Sequence, residues 1–177
     1  VYLGKEPKGA GNLARPPVFK RSLSIGSYCQ IGPQAVLYYD VSIGNNTLIG
    51  DGASVREQCV IGDNCIIGRQ VTIHYDVIIG TRSRVLDLSH ITGNSRIGNN
   101  VFISVGVTTA NDNTIGRAGY SDEHVVGLTV EDDATIGVGA TLTAGVVVGR
   151  NAIVGASSLV TRNVEAHTMV LGVPARV

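Results

Sequence analysis

Tryptophan is absent from this chain, aromatic residues make up only 5% of it, and the two signs of charge cancel at 14 Lys+Arg against 14 Asp+Glu. A core built on large rings is therefore excluded. The lack of a basic excess argues against a general nucleic-acid or anionic-membrane partner, since such binders usually carry net positive charge. No apolar run reaches the roughly 18 residues needed to span a membrane, and no signal-peptide pattern opens the chain, so a cytoplasmic setting is expected. Cysteine is scarce. Cys29, Cys59 and Cys65 show neither a disulfide framework nor a metal-knuckle spacing. Glycine is not scarce: it supplies 23 of the 177 residues, and a hydrophobic content of 44% fits one domain with a sizeable core.

The aliphatic residues are strictly spaced. Stepping by six from Ile25 meets Ile31, Leu37, Ile43, Ile49, Val55, Ile61, Ile67, Ile73, Ile79, Val85, Ile91, Ile97 and Ile103, and most are followed by Gly. The residue two before each stop is usually small or β-branched, as at Thr47, Ala53, Val77, Ser83 and Val101, and all three cysteines hold this position. Residues i and i−2 of a strand share a face, so these pairs fill one narrow interior. The glycine after each stop, and the Asn or Gly near i+3, suit the positive φ angles of sharp turns. Such a hexapeptide repeat predicts an all-β parallel β-helix whose coils stack about 4.8 Å apart.

Three hexads make one coil, so residues eighteen apart stack in columns. The first column reads Ile25-Gly26, Ile43-Gly44, Ile61-Gly62, Ile79-Gly80 and Ile97-Gly98, and is architectural. The third reads Leu37-Tyr38, Val55-Arg56, Ile73-His74, Ile91-Thr92 and Thr109-Ala110, with reactive side chains in place of glycine. The phase fails after Thr109 and resumes at Val130, half a repeat out of register. That slip predicts an extruded loop over residues 110–129, which contains Asn111-Asp112-Asn113, Arg117, Tyr120 and Asp122-Glu123-His124. Loop and polar corner share one edge, and insertions in repeat proteins cluster on the binding face. The expected organisation is an irregular cap over residues 1–22, a β-helix over 23–165 and a tail over 166–177. Phe19 and Leu23 are candidates to cover the first coil.

Several blocks make the reading more specific. Ile97-Gly98-Asn99-Asn100-Val101-Phe102-Ile103 through Thr109-Ala110-Asn111-Asp112, then Ala134-Thr135-Ile136-Gly137, then Val154-Gly155-Ala156-Ser157-Ser158 and finally Gly172-Val173-Pro174-Ala175-Arg176 resemble, in order, the left-handed β-helix (hexapeptide-repeat) acyltransferases. The resemblance is to nucleotide-sugar N-acetyltransferases first and sugar O-acetyltransferases second. It implies the left hand of the coil, a homotrimer, acetyl-coenzyme A as co-substrate in a groove between subunits, a small-molecule nucleotide-sugar acceptor and no metal. Ala156, Thr161 and Arg162 match positions lining that groove, and Arg176 matches the basic residue of the closing motif. Gly139, Ala140 and Ala156 are small enough to border a pantetheine arm, and arginine offers forked donors to phosphate.

Direct acetyl transfer to an amine asks for a general base and for donors to the oxyanion. Relatives often place the base two residues after the third-column aliphatic, where this chain has Gly93. The remaining candidates are His90, on an outward-facing position, and His74 at the corner. Asn111 is expected to orient the acceptor or donate to the carbonyl, and Arg56 and Asp112 to contact the acceptor. A γ-class carbonic anhydrase on the same fold would need three converging histidines, which the spacing of His74 and His90 does not offer. A non-catalytic scaffold is the remaining alternative.

Overall fold

Two-residue strands separated by four-residue corners are what the sixfold spacing produces, as in Leu48–Ile49, Ser54–Val55 and Val60–Ile61. The computed structural model describes residues 1–9, 16–119 and 124–177, and every regular element among them is a strand. The strands form three parallel sheets, two of eight strands and one of seven. In the first sheet, Val55 pairs with Ile73 and Ile73 with Ile91, each eighteen residues on. The chain is a left-handed parallel β-helix. No helix among the described residues is long and apolar enough to cross a membrane.

One residue of each two-residue strand enters the prism. Leu37, Val55, Ile73, Ile91 and Leu142 of the first sheet are buried, as are Ile43, Ile61, Ile79 and Val130 of the second. Each such side chain contributes roughly 1.5–3 kcal/mol of hydrophobic stabilisation, which replaces the missing aromatic core. The cysteines point inward as expected. Cys59 and Cys65 are buried, Cys29 is half-buried, and none is paired. The Cys59 thiol donates to the His74 carbonyl at 2.9 Å, and burial pushes its pKa up to about 12, so it stays protonated.

The turn residues carry one correction. Positive φ does fall near i+3, at Asn46, Asn64, Asn94 and Asn100, but not at the glycine that follows each stop. Those glycines answer to close approach instead. A Cβ on Gly80 would sit 2.6 Å from the backbone C and O of Gly98 in the next coil, well inside van der Waals contact. Gly80→Ala is therefore expected to destabilise the protein by about 1–3 kcal/mol through forced separation of two coils, read as a lower urea midpoint. Alanine at Gly52, which has no such backbone neighbour but has φ near 66°, tests the other mechanism.

The ends are more regular than the sequence suggested. Tyr2–Lys5, within the segment expected to be irregular, forms a strand that pairs with Val36–Tyr38. Phe19 stacks on Tyr39 with centroids 6.4 Å apart, and Leu23 packs on the edge of the core. At the other end Met169–Val170 continues the third sheet against Ile153–Val154. The loop leaves where expected, after Thr108–Thr109. Val130 stacks on Ile97, 33 residues on instead of 18, so this coil carries an excess of 15. Leu128 is buried and Thr129 lies in a strand, so the loop closes slightly before its expected limit. Tyr120, Asp122 and Glu123 of the loop lie outside the described residues.

Candidate active site

Strand alternation turns the first residue of each first-sheet strand outward, which puts Ser54, Thr72, His90 and Thr108 in one external row. The residue after each strand begins the corner, so Arg56, His74 and Thr92 stack beside that row. Backbone bonds from Arg56 N to Ile73 O at 3.0 Å and from His74 N to Ile91 O at 2.9 Å hold this spacing. Ala110 N bonds Leu142 O in the same way, which places Asn111 on the same corner, two coils above His74.

The two candidate histidines meet. Their rings lie edge to face with centroids 4.5 Å apart and an interplanar angle of 86°. Nδ1 of His90 shares a hydrogen bond of 2.7 Å with the Thr72 hydroxyl. A neutral imidazole that donates Nδ1–H to Thr72 keeps its Nε2 lone pair, the form a base requires. Burial lowers the His90 pKa, and burial with the nearby charges of His90 and Arg56 lowers that of His74 to about 4. Both rings are thus neutral at neutral pH.

That depression has a stability consequence. Protonation of His74 is easier in the unfolded chain, so stability is full above pH 6.5 and is lost as pH falls toward about 4. His74→Gln is expected to flatten the decline in melting temperature between pH 6.5 and 4. An unchanged slope would rule out this source of acid sensitivity.

Arg56 is held by its neighbour. Its Nε donates to Glu57 Oε2 at 3.1 Å and its Nη2 to Glu57 Oε1 at 2.9 Å, and the Glu57 carboxylate is only 1% exposed. The guanidinium carbon lies 5.4 Å from the Tyr75 ring centroid and 6.0 Å from that of Tyr38. Tyr75 also accounts for Gly93. A Cβ at that position would lie 2.8 Å from the Tyr75 ring, so the space beside it is filled by a side chain from the coil below. Gly93→Ala alone should lower the melting temperature and Tyr75→Ala should relieve it, with a coupling of about 0.5–3 kcal/mol in the double-mutant cycle.

Asp112 faces its own loop. One carboxylate oxygen accepts from Thr114 N and its hydroxyl, the other from Gly116 N, and these bonds hold its pKa below the usual carboxylate range. Asn113 ties the loop to the next coil by accepting from Ala144 N at 3.0 Å and donating to Ala144 O at 3.1 Å. Val126 N donates to Asn111 O at 2.8 Å, and Asn94 Nδ2 to Val125 O at 3.2 Å, so the base of the loop is pinned beside the histidines.

The expected coenzyme residues divide between the two edges of the first sheet. Exposed Gly139 and Ala156 lie at the corner where the chain enters that sheet, exposed Thr161 and Arg162 at the corner where it leaves. Ala140, expected to border the coenzyme, is instead buried inside the prism, with its carbonyl accepting from Thr108 N and its N–H donating to Gly137 O, so it presents nothing to a ligand. Arg176 is exposed in the terminal segment, with its side chain on the Ala175 carbonyl at 2.7 Å. Glu57, Tyr75 and Asn94 were not anticipated, and Asn113 was placed in the loop without its tie to the next coil. The acidic neighbour of Arg56 and the Asn of the loop were the available signals.

By fold this is a left-handed parallel β-helix built of hexapeptide repeats. The profile of the GMPPB C-terminal domain matches residues 19–118, more than half of the chain, and the chain belongs to that family. The hexapeptide repeat of succinyl-transferase matches residues 127–162. A segment of 48 residues, 27% of this chain, is 50% identical to 2,3,4,5-tetrahydropyridine-2,6-dicarboxylate N-acetyltransferase of Staphylococcus aureus, and spans only 20% of that protein. The polysialic acid O-acetyltransferase OatWY superposes with a TM-score of 0.76 at 18% identity, over 99% of this chain and 87% of the other. A mutant of AntD, an N-acyltransferase from Bacillus cereus, in complex with dTDP and coenzyme A, superposes with a TM-score of 0.55 at 20% identity, over 86% of this chain and 81% of the other. These structural likenesses establish the fold.

Proposed function

We propose that this chain transfers acetyl from acetyl-coenzyme A to the amine of a nucleotide-linked amino sugar, with His90 as general base. The observation that carries the reading is the half-buried, neutral His74–His90 pair beside the anchored loop. His90 Nε2 takes a proton as the acceptor nitrogen bonds to the thioester carbonyl carbon. The C–S bond of the tetrahedral intermediate then breaks, the coenzyme leaves as thiolate, and the imidazolium returns the proton to sulfur. Asn111 is the side-chain donor assigned to the oxyanion. His74 packs edge-on against His90 and fixes its ring plane.

The coenzyme is assigned to the C-terminal side of His90, along Gly139, Ala156, Thr161, Arg162 and Arg176. Their split between two edges supports a groove completed by a second copy, so the assembly proposed is a homotrimer. Val60 and Ile78, apolar yet 45% and 42% exposed on the second sheet, offer surface for that contact. Coenzyme-dependent thiol release that rises with an amino-sugar nucleotide tests the activity; release that no amino-sugar nucleotide raises would end the N-acetyl reading. The second reading is O-acetylation of a sugar, favoured by the close superposition on OatWY. The product's acetyl group on nitrogen or on oxygen, seen by NMR, separates the two.

A further inference from the structure

Below the histidines the same corner gathers positive charge on aromatic rings. Lys5 Nζ lies 4.9 Å from the Tyr38 ring centroid and Arg56 Cζ lies 6.0 Å from it. Glu57 takes Nε and Nη2 of Arg56, leaving Nη1 unengaged by that carboxylate. Glu6, the acidic neighbour of Lys5, is drawn away to Arg21 at 2.8 Å. Among the described residues Lys5 has no ion-pair partner. Two cations against one buried carboxylate leave a net positive cluster, although the chain as a whole is neutral.

Its position relative to the histidines is fixed by the stack. Tyr38, Arg56, His74 and Thr92 are successive members of one column, so the cluster sits about 14 Å down the axis from the coil of His90. Cations that rest on aromatic faces are pre-placed, which strengthens their hold on an anion.

We propose that the Lys5–Tyr38–Arg56 cluster binds an acid group of the acceptor, about 14 Å from the group that is acetylated. This rests on the acetyl-transfer reading for the identity of the reacting end. The acceptor is then elongated and anionic, longer than a single sugar ring, with its body along the corner through Tyr75 and the coenzyme on the opposite side of His90. The acid group is a phosphate, as in a sugar nucleotide, or a carboxylate, as in an acidic oligosaccharide.

Calorimetry of the full chain with UDP and with a galacturonic acid trisaccharide separates the two sources. One probe is expected to bind, and Lys5→Gln and Tyr38→Leu should each weaken it by about three- to tenfold. Lys5→Arg should restore binding, and coenzyme A affinity should stay unchanged in all three. Unfolding is monitored by the melting temperature, which exposed Lys5 should not move. Equal binding of the probe to wild type and Lys5→Gln would overturn the proposal, as would wild type that binds coenzyme A but neither probe. Probe binding that Lys5→Gln weakens to that extent, with no coenzyme A binding in wild type, would uphold the anion site and sink the acetyl-transfer reading.

Discussion

His90→Ala is expected to lower kcat for acetyl transfer by about 10²–10⁴-fold, the usual contribution of a positioned general base. The Michaelis constant for the coenzyme should barely change, because the coenzyme is assigned to coils above. His90→Gln keeps a partner for the Thr72 hydroxyl, 2.7 Å from Nδ1, and lacks a base, so it should be as slow as alanine. If glutamine retained the activity, positioning rather than proton transfer would be the role of His90. The pH profile supplies a second check. Only the neutral ring accepts a proton, and burial lowers the His90 pKa below 6.5, so the acid limb of kcat/KM should fall below pH 6.5. Thr72→Val, which removes the hydroxyl, should change the height of the plateau more than the position of this limb.

The second large effect concerns stability. Glu57→Ala leaves the Arg56 guanidinium, only 32% exposed, without the carboxylate that accepts two of its hydrogen bonds. Because a third of the guanidinium still reaches water, the loss is about 1–3 kcal/mol, less than for a fully buried pair. The urea midpoint should drop accordingly. Replacing both residues, as Arg56→Leu with Glu57→Leu, removes the orphaned charge and should recover most of the loss. A double variant no more stable than Glu57→Ala would mean that the pair holds the corner by geometry rather than by charge balance.

What could be read in advance follows from which features are local. The inward row from Ile25 to Ile103 is a six-residue rule, and strand alternation converts it directly into buried positions. The half-repeat slip between Thr109 and Val130 is likewise countable, so the loop and its corner were visible. Side-chain directions at the corners were not, because they depend on the coil above or below. Nothing in the order of residues says that Tyr75 occupies the space over Gly93, or that Arg56 grips Glu57. Asp112 matched an acceptor-binding position, yet Thr114 and Gly116 offer it nearer donors. Gly80 was credited with conformational freedom when its real constraint is the backbone of Gly98.

The excess of 15 residues in one coil leaves Val130 seated on Ile97 and Leu142 on Thr109 as though nothing intervened. Closure entropy grows only with the logarithm of a loop's length, and stacked repeats draw their stability from adjacent neighbours. The excursion can therefore be lengthened, shortened or resequenced at little cost to the scaffold. The coils hold the fold, and the loop can drift in sequence while they stand still.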